Sequence, residues 1–577
     1  MFLGCPQKQG FKNRKDWRIK LEKTKKLSNT FKISLIAIFL IAVFCIAITP
    51  VTLQNDTYYT IKIGEHIENN GIDMKDPFSW HDNLDYTYPH WLYDLLTFKI
   101  FSQFGFEGIY VVTVILSVIL GLSLYFVSSK ISKNNIIAFL VTFGALYLIK
   151  DYIAARAQLV TFILFVWSIF CIEKFIENRK IRYGVALFGI ATLIANLHVA
   201  VWPFFFVLFL PYIGELFVAI LGDFIIYRKF NQFKLKFKIK HSKNEMKIQK
   251  YKEQLRQLEE KLEKIKVKRT NDLQNPYKIK IEKNKNVKWL ILVMLICVVT
   301  GFLTPLGDTP FTYLIKTMQG NTTQNINEHL PMTLSAQPET LCAIIILLGI
   351  LTFTKTKIKL RDLFMIGGLS YLMLLSKRQV TMFALVGTII LGKLIVDFVF
   401  GDTAKKQGLS ERVERLEKIA LKPIIVIAMI LVVGWFSWTN CKDKFDDKIV
   451  DPRNYPVAAC DYILKNIDLS KARFYNEYNY GSYMLFRGIP VFIDSRADLY
   501  APEFSGLEDD IFMDFINVSS VGTFYEDIFE KYNITHAIMN KNAKISMIID
   551  KTNDSNYKKI YSDNYFVIYQ RLNAKER

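Results

Sequence analysis

Eleven apolar stretches alternate with polar segments along this chain, near residues 33–53, 108–128, 134–150, 157–176, 183–198, 201–226, 288–305, 340–355, 362–376, 379–400 and 421–439. A helix needs roughly 20 such residues to cross about 30 Å of hydrocarbon, and 134–150, 183–198 and 362–376 are short by that measure. The pattern predicts an α-helical polytopic membrane protein with about 11 spans. The first polar break, 53–92, is rich in acids and aromatics. Within it Thr57–Glu68 has helical spacing, and Asp76-Pro-Phe-Ser-Trp80 reads as a turn followed by an extended piece. The stretch 91–104 is apolar on one side only, as expected of a helix lying in the interface with Trp91 and Tyr93 at headgroup depth.

Beyond 439 the period changes. Tyr455–Ile467, Phe504–Ile516 and Gly522–Lys531 read as helices, and Ala472–Tyr478, Val491–Asp494, Ile534–Met539 and Tyr565–Tyr569 as strands. That is the pattern of a small α/β domain. The chain therefore divides into a tail (1–32), a first membrane part (33–226), an insertion (227–287), a second membrane part (288–439) and a C-terminal domain (440–577).

Charge orients this plan. The 577 residues carry a net charge of +21. The excess is concentrated, with 10 Lys/Arg against 2 Asp/Glu in the first 32 residues and 21 against 7 from Arg228 to Lys288. Positive loops stay on the cytoplasmic side, so the tail and the basic insertion are expected inside and the C-terminal domain outside. This distribution points to membrane topology and away from nucleic acid. In the insertion, Leu255, Leu258, Leu262 and Ile265 form a narrow heptad-like seam. A coiled coil, a helical hairpin, a helix on anionic lipid and a plain positive spacer all fit it. Seven scattered cysteines make no metal motif; those in the spans suit small apolar packing, while Cys441 and Cys460 are close enough in the plan to pair or to stay free.

Threading the spans in this way carries Asp56, His90, Arg156, His198, Glu328 and Arg378 to the side opposite the lysines. Ionisable residues at membrane helix ends are functional candidates by default. Asp56 is placed to act as a general base, or to cap a helix starting at Thr57. Arg156 and Arg378 lie on the face where cations are depleted, which suits an anionic lipid head group, or snorkelling. Asp76 suits a turn, His90 an interfacial anchor or a phosphate donor. Asp494 and Arg496 follow an apolar stretch at its C-terminal end, where ligands bind in α/β sheets; a pair fastening the domain to the membrane body fits equally.

Several short motifs follow one another along the chain: Asp56-Thr-Tyr-Tyr59 with His66-Ile67 and Gly71-Ile72, then Asp-Pro-Phe-Ser-Trp and His90-Trp-Leu92. Ala155-Arg-Ala-Gln158, Asn196-Leu-His198, Thr304-Pro-Leu-Gly307 and Asn327-Glu-His-Leu-Pro331 follow, and Asn476–Tyr483 and Phe492–Tyr500 close the series. Together they resemble the GT-C superfamily of multi-span glycosyltransferases, in its bacterial branch with a C-terminal outer domain. The chain has Asp56-Thr57 where an Asp-Glu pair is frequent, and Ala157 where Pro is usual. The resemblance implies a polyprenyl-phosphate-linked sugar as donor, chemistry at the outer leaflet and the first-loop acid, by position Asp56, as base. Arg156, His198, Arg378 and His90 would meet the lipid phosphate, with Asp76, Glu328, Asp494 and Arg496 contacting acceptor or supporting the site. No cofactor is expected; a divalent metal would have Asp56, Asp76 and Glu328 as hard oxygen ligands. Two rival functions are a non-catalytic protein that binds or organises lipid-linked sugars or envelope polymers, and a transporter. No internal repeat of the kind transporters show is visible.

Overall fold

The computed structural model describes residues 28–221, 225–242, 244–270, 278–401 and 406–573. Most of the basic tail, residues 1–27, falls outside them. Each apolar stretch coincides with helix. Asn29–Ile48, Trp91–Ser132, Ala157–Asn178, Val199–Leu221, Lys377–Phe400 and Pro423–Cys441 are long and apolar enough to cross a membrane. Asn135–Leu148, Ile181–Leu197, Val287–Phe302 and Pro338–Phe353 are shorter apolar helices, and Leu360–Leu375 is helical as well. This is a membrane protein. Its bundle shares one core, with Ile41, Phe44, Leu124, Phe165, Ile172, Phe205 and Leu385 buried together.

The stretch 91–104 and the following span form one helix interrupted at Gly105, whose φ of 64° lies in the left-handed region that favours glycine. The insertion is a helical hairpin of Ile225–His241 and Glu245–Thr270, in which Ile248, Tyr251, Leu255 and Leu258 are half-buried. The side chains of Leu262 and Ile265 lie outside what is described. The chain leaves the insertion through a two-residue strand, β1 (Ile279–Lys280), parallel to β2 (Ile358–Lys359). Glu282 meets Lys359 at 3.0 Å and Arg361 at 3.1 Å, and Arg361 also meets the buried Glu215 at 3.1 Å. These contacts pin the exit of the insertion to the bundle.

The C-terminal unit is built on a sheet of β3 (Phe474–Tyr475), β4 (His536–Asn540), β5 (Tyr557–Ser562) and β6 (Phe566–Arg571), in the order β3-β4-β6-β5. The β3–β4 pair is parallel and the other two pairs are antiparallel. It does not stand apart from the first polar segment, because Tyr58, Ile63, Leu84 and Tyr88 share its core. Several expectations need correction here. Phe504–Ile516 is not one helix: Gly506, at φ 75°, separates Pro502–Ser505 from Ile511–Ser520. Ala472–Tyr478 contributes only two strand residues before turning into the helix Tyr478–Phe486.

Val491–Asp494 is no ladder strand either, because a side chain takes the neighbouring strand's place. Asn476 accepts from Phe492 N at 2.8 Å and donates to Ile493 O at 2.7 Å. The main-chain groups are satisfied without a ladder, as buried backbone must be. This close approach also explains Gly481: a Cβ there would lie 2.0 Å from Ile493 O. Gly481→Ala is expected to cost at least about 2 kcal/mol of stability, read as a lower Tm of the purified protein. An unchanged Tm would contradict the packing described.

Cys441 and Cys460 are both free thiols. Cys460 is fully buried, and burial pushes its thiol up to about 12, which suits packing rather than exchange.

Candidate functional site

Helix ends build the site. Asp56 stands in the first turn of Asn55–Asn70, not at its cap; Gln54 occupies that position. Arg156 immediately precedes Ala157–Asn178, and His198 joins Ile181–Leu197 to the next span. Arg378 lies in the short turn Lys377–Gln379 before Val380–Phe400. Glu328 comes from a loop that the backbone holds against that turn: Arg378 N donates to Glu328 O at 2.9 Å, and Lys377 N to Leu330 O at 3.0 Å.

All five, with His90, line one cavity of about 840 Å3. Arg156 is its hub. Its Nε lies 2.9 Å from Asp56 Oδ2, an ion pair without hydrogen-bond alignment, and its Nη1 donates to Glu328 Oε1 at 3.3 Å. Arg378 Nη2 donates to Gln158 Oε1 at 3.1 Å. Among the described residues its guanidinium meets no carboxylate within ion-pair distance, so it is the cation left available to an anion. The rings of His90 and His198 are 4.7 Å apart, and Thr161 Oγ1 lies 3.1 Å from His198 Nδ1. Apolar side chains, Phe204, Leu314, Met318 and Leu375, complete the lining. Met318 and Leu375 are also exposed. A polar wall facing an apolar one suits an amphiphile.

The two arginines set the electrostatics. Burial alone would lift the Glu328 carboxyl, but Arg156 and then Arg378 hold it below the usual carboxylate range. Burial opposes the charge on Arg156, and the Asp56 and Glu328 carboxylates more than restore it. Burial, reinforced by Arg378 and Arg156, pushes His90 down to about 3. His90 is therefore neutral near pH 7, and an anion here would be met by guanidinium, not imidazolium.

The His90 shift has a sign that can be measured. An unfolded histidine takes up its proton near pH 6.5. Between there and about 3 the unfolded chain holds the extra proton, so stability rises with pH across that window. The contribution is complete above about pH 6.5 and is lost as pH falls. His90→Gln is expected to flatten the dependence of Tm on pH between about 4 and 6.5. An identical slope in the variant would show that His90 is not held neutral.

Asp76 and Asp494 do not line the cavity. Both are fully buried behind it and grip Arg496, which does line it. Arg496 donates to Asp76 Oδ1 at 2.7 Å, and to Asp494 Oδ1 and Oδ2 at 2.9 and 2.7 Å. Tyr500 OH donates to Asp494 Oδ2 at 2.6 Å. The Asp-Pro-Phe-Ser-Trp turn is thereby locked to the C-terminal unit. Asp76 is too far engaged there to join Asp56 and Glu328 on a metal, and Arg156 stands between those two. Among the described residues, no three His, Cys, Asp or Glu side chains are grouped to hold a metal ion.

Asp498 also faces the cavity, accepting from Tyr313 OH at 2.6 Å and Thr322 Oγ1 at 3.0 Å. Sequence reasoning did not single it out, although it lies in the quoted Phe492–Tyr500 motif. Asn55 and Tyr59, flanking Asp56 at one residue and one turn, were missed as well; helical spacing would have placed Tyr59 on the same face.

A scan of family models and a search of curated sequences return no match. Solved structures do. The oligosaccharyltransferase AglB of Archaeoglobus fulgidus, in complex with an inhibitory peptide and a dolichol-phosphate, aligns over 90% of this chain and 70% of its own, at 12% identity and a TM-score of 0.51. An Archaeoglobus fulgidus oligosaccharyltransferase tethered to an acceptor peptide aligns over 93% and 74%, at 12% identity and a TM-score of 0.52. The chain has the fold of these oligosaccharyltransferases. ArnT from Cupriavidus metallidurans bound to undecaprenyl phosphate aligns over 96% and 98%, at 11% identity and a TM-score of 0.38.

Proposed function

We propose that this protein is a GT-C-like glycosyltransferase that moves a sugar from a polyprenyl-phosphate donor to an acceptor at the outer face of the membrane, with inversion. The observation that carries the reading is the convergence of Asp56, Arg156, Glu328 and Arg378 on one part-apolar cavity. The dolichol-phosphate held by AglB supports a lipid-linked donor. Charge asymmetry supports a cytoplasmic tail and insertion and an extracytoplasmic C-terminal unit.

In this mechanism an acceptor hydroxyl gives its proton to Asp56 while its oxygen bonds to the anomeric carbon. The bond from that carbon to the phosphate oxygen breaks, and its electron pair leaves with the lipid phosphate. Arg378 stabilises the charge that develops there, where a preorganised cation is worth most. Arg156 orients Asp56 and ties it to Glu328; His90 and His198 donate or accept as neutral rings. Arg496, fixed by Asp76 and Asp494, forms the wall on the acceptor side.

One observation favours the non-catalytic alternative: the base is already paired with Arg156 at 2.9 Å. Such a protein would bind lipid-linked sugars without turning them over.

The common ground of both readings is the phosphate site. Arg378→Ala is expected to weaken binding of undecaprenyl phosphate at least about tenfold, and to leave binding of uncharged polyprenol unchanged. Equal loss for both lipids, or for neither, would remove Arg378 from phosphate recognition.

A further inference from the structure

The insertion hairpin carries an apolar face that its own partner helix does not use. On Ile225–His241, Leu235 and Ile239 are half-buried on the side of Gln232, whose Nε2 donates to Glu259 of the second helix at 3.1 Å. Phe230, Phe233 and Phe237 follow the i, i+3, i+7 rule for a single helical face. They are 62, 68 and 55% exposed, which for three aromatics in one row is a surface awaiting a partner. Helical spacing puts Lys234 and Lys238 along one flank of this row, and Lys236 and Lys240 along the other. All four lysines are exposed.

We propose that this face docks on the anionic lipid surface of the membrane leaflet from which the hairpin emerges. Three observations favour lipid over a protein partner. The helix begins at Ile225, directly beyond the span that ends at Leu221, so its start is already at the bilayer. Its charge complements anionic head groups: the described residues 230–241 hold four lysines and no acid. Aromatic rings between lysines that can snorkel on both sides are the arrangement an interfacial helix needs. The second helix is different in kind, its outer side mixing Glu253, Arg256 and Glu260 in ion pairs. The inference does not depend on the reaction proposed above.

The test uses full-length protein in nanodiscs, with a nitroxide carried by a ketone-bearing phenylalanine analogue at position 233 and, in a separate sample, at position 253. In discs containing phosphatidylglycerol the label at 233 is expected to collide more with lipid-soluble oxygen than with a water-soluble nickel chelate. The label at 253 is expected to show the reverse. Replacing Lys234, Lys236, Lys238 and Lys240 with Glu should return position 233 to water, shifting its partition by more than about tenfold, while the mobility at 253 stays as it was. Discs of pure phosphatidylcholine should act in the same direction. A label at 233 that stays aqueous in both discs overturns the proposal. So does one shielded from both reagents, since protein would then cover the face, and so does one whose depth ignores head-group charge.

Discussion

Asp56→Asn is expected to lower sugar transfer by about 10^2- to 10^4-fold, the range lost when a positioned general base is removed. The change is isosteric and keeps a polar group beside Arg156, so folding should be spared. Affinity for undecaprenyl phosphate is expected to be kept or to rise, because in the proposed site cations, not this carboxylate, meet the phosphate. Losing the Asp56 charge also leaves Arg156 tied only to Glu328, which gives the phosphate a second accessible cation. A transfer assay and a lipid-binding assay on the same variant check both halves. Full transfer by Asp56→Asn would remove this residue from the mechanism. Loss of binding together with transfer would mean that the substitution acts on the structure of the site and not on proton transfer.

The largest effect on stability is expected at Arg496. Its guanidinium is nearly inaccessible and serves two fully buried carboxylates on separate parts of the chain. Removing one partner of a buried charge pair costs roughly 3–5 kcal/mol, because the other charge stays buried without compensation. Arg496→Ala strands both Asp76 and Asp494 and belongs at or beyond the upper end of that range. Arg496→Lys should rescue little, since a single ammonium cannot reproduce the fork that spans both acids. Thermal unfolding of the three proteins measures this. A lysine variant as stable as wild type would show that charge, not geometry, holds the first polar segment to the C-terminal unit.

The sequence carried the membrane plan because a bilayer leaves few ways to satisfy a backbone, so apolar length alone marks helix. Charge then separated the two ends of each span. That is why Asp56, Arg156, His198, Glu328 and Arg378 could be gathered in advance: each sits at a helix end or in a loop that parity assigns to one side. What parity cannot give is which of them touch. Arg156 between Asp56 and Glu328, and Arg378 beside the neutral Gln158, depend on side-chain reach across loops 172 and 220 residues apart.

The C-terminal unit was less legible, for reasons visible in particular residues. Tyr557–Ser562 carries Lys558 and Lys559 in its middle, the lysines of an edge strand, and these hid its alternation. Val491–Asp494 has strand composition, yet it pairs with the Asn476 side chain in place of a neighbouring strand. In the sequence Asp76 suits a turn, and Asp494 with Arg496 suits either a ligand site or a fastening pair; that Asp76 and Asp494 meet on one buried Arg496 is what only the tertiary fold reveals.

The most direct test is a structure of the protein with undecaprenyl phosphate bound. The phosphate is expected within hydrogen-bond reach of the Arg378 guanidinium, with its chain running past Leu375 and Met318 and Asp56 across the cavity from it. A phosphate seated elsewhere, with Arg378 still on Gln158 and the cavity unengaged, would contradict that expectation.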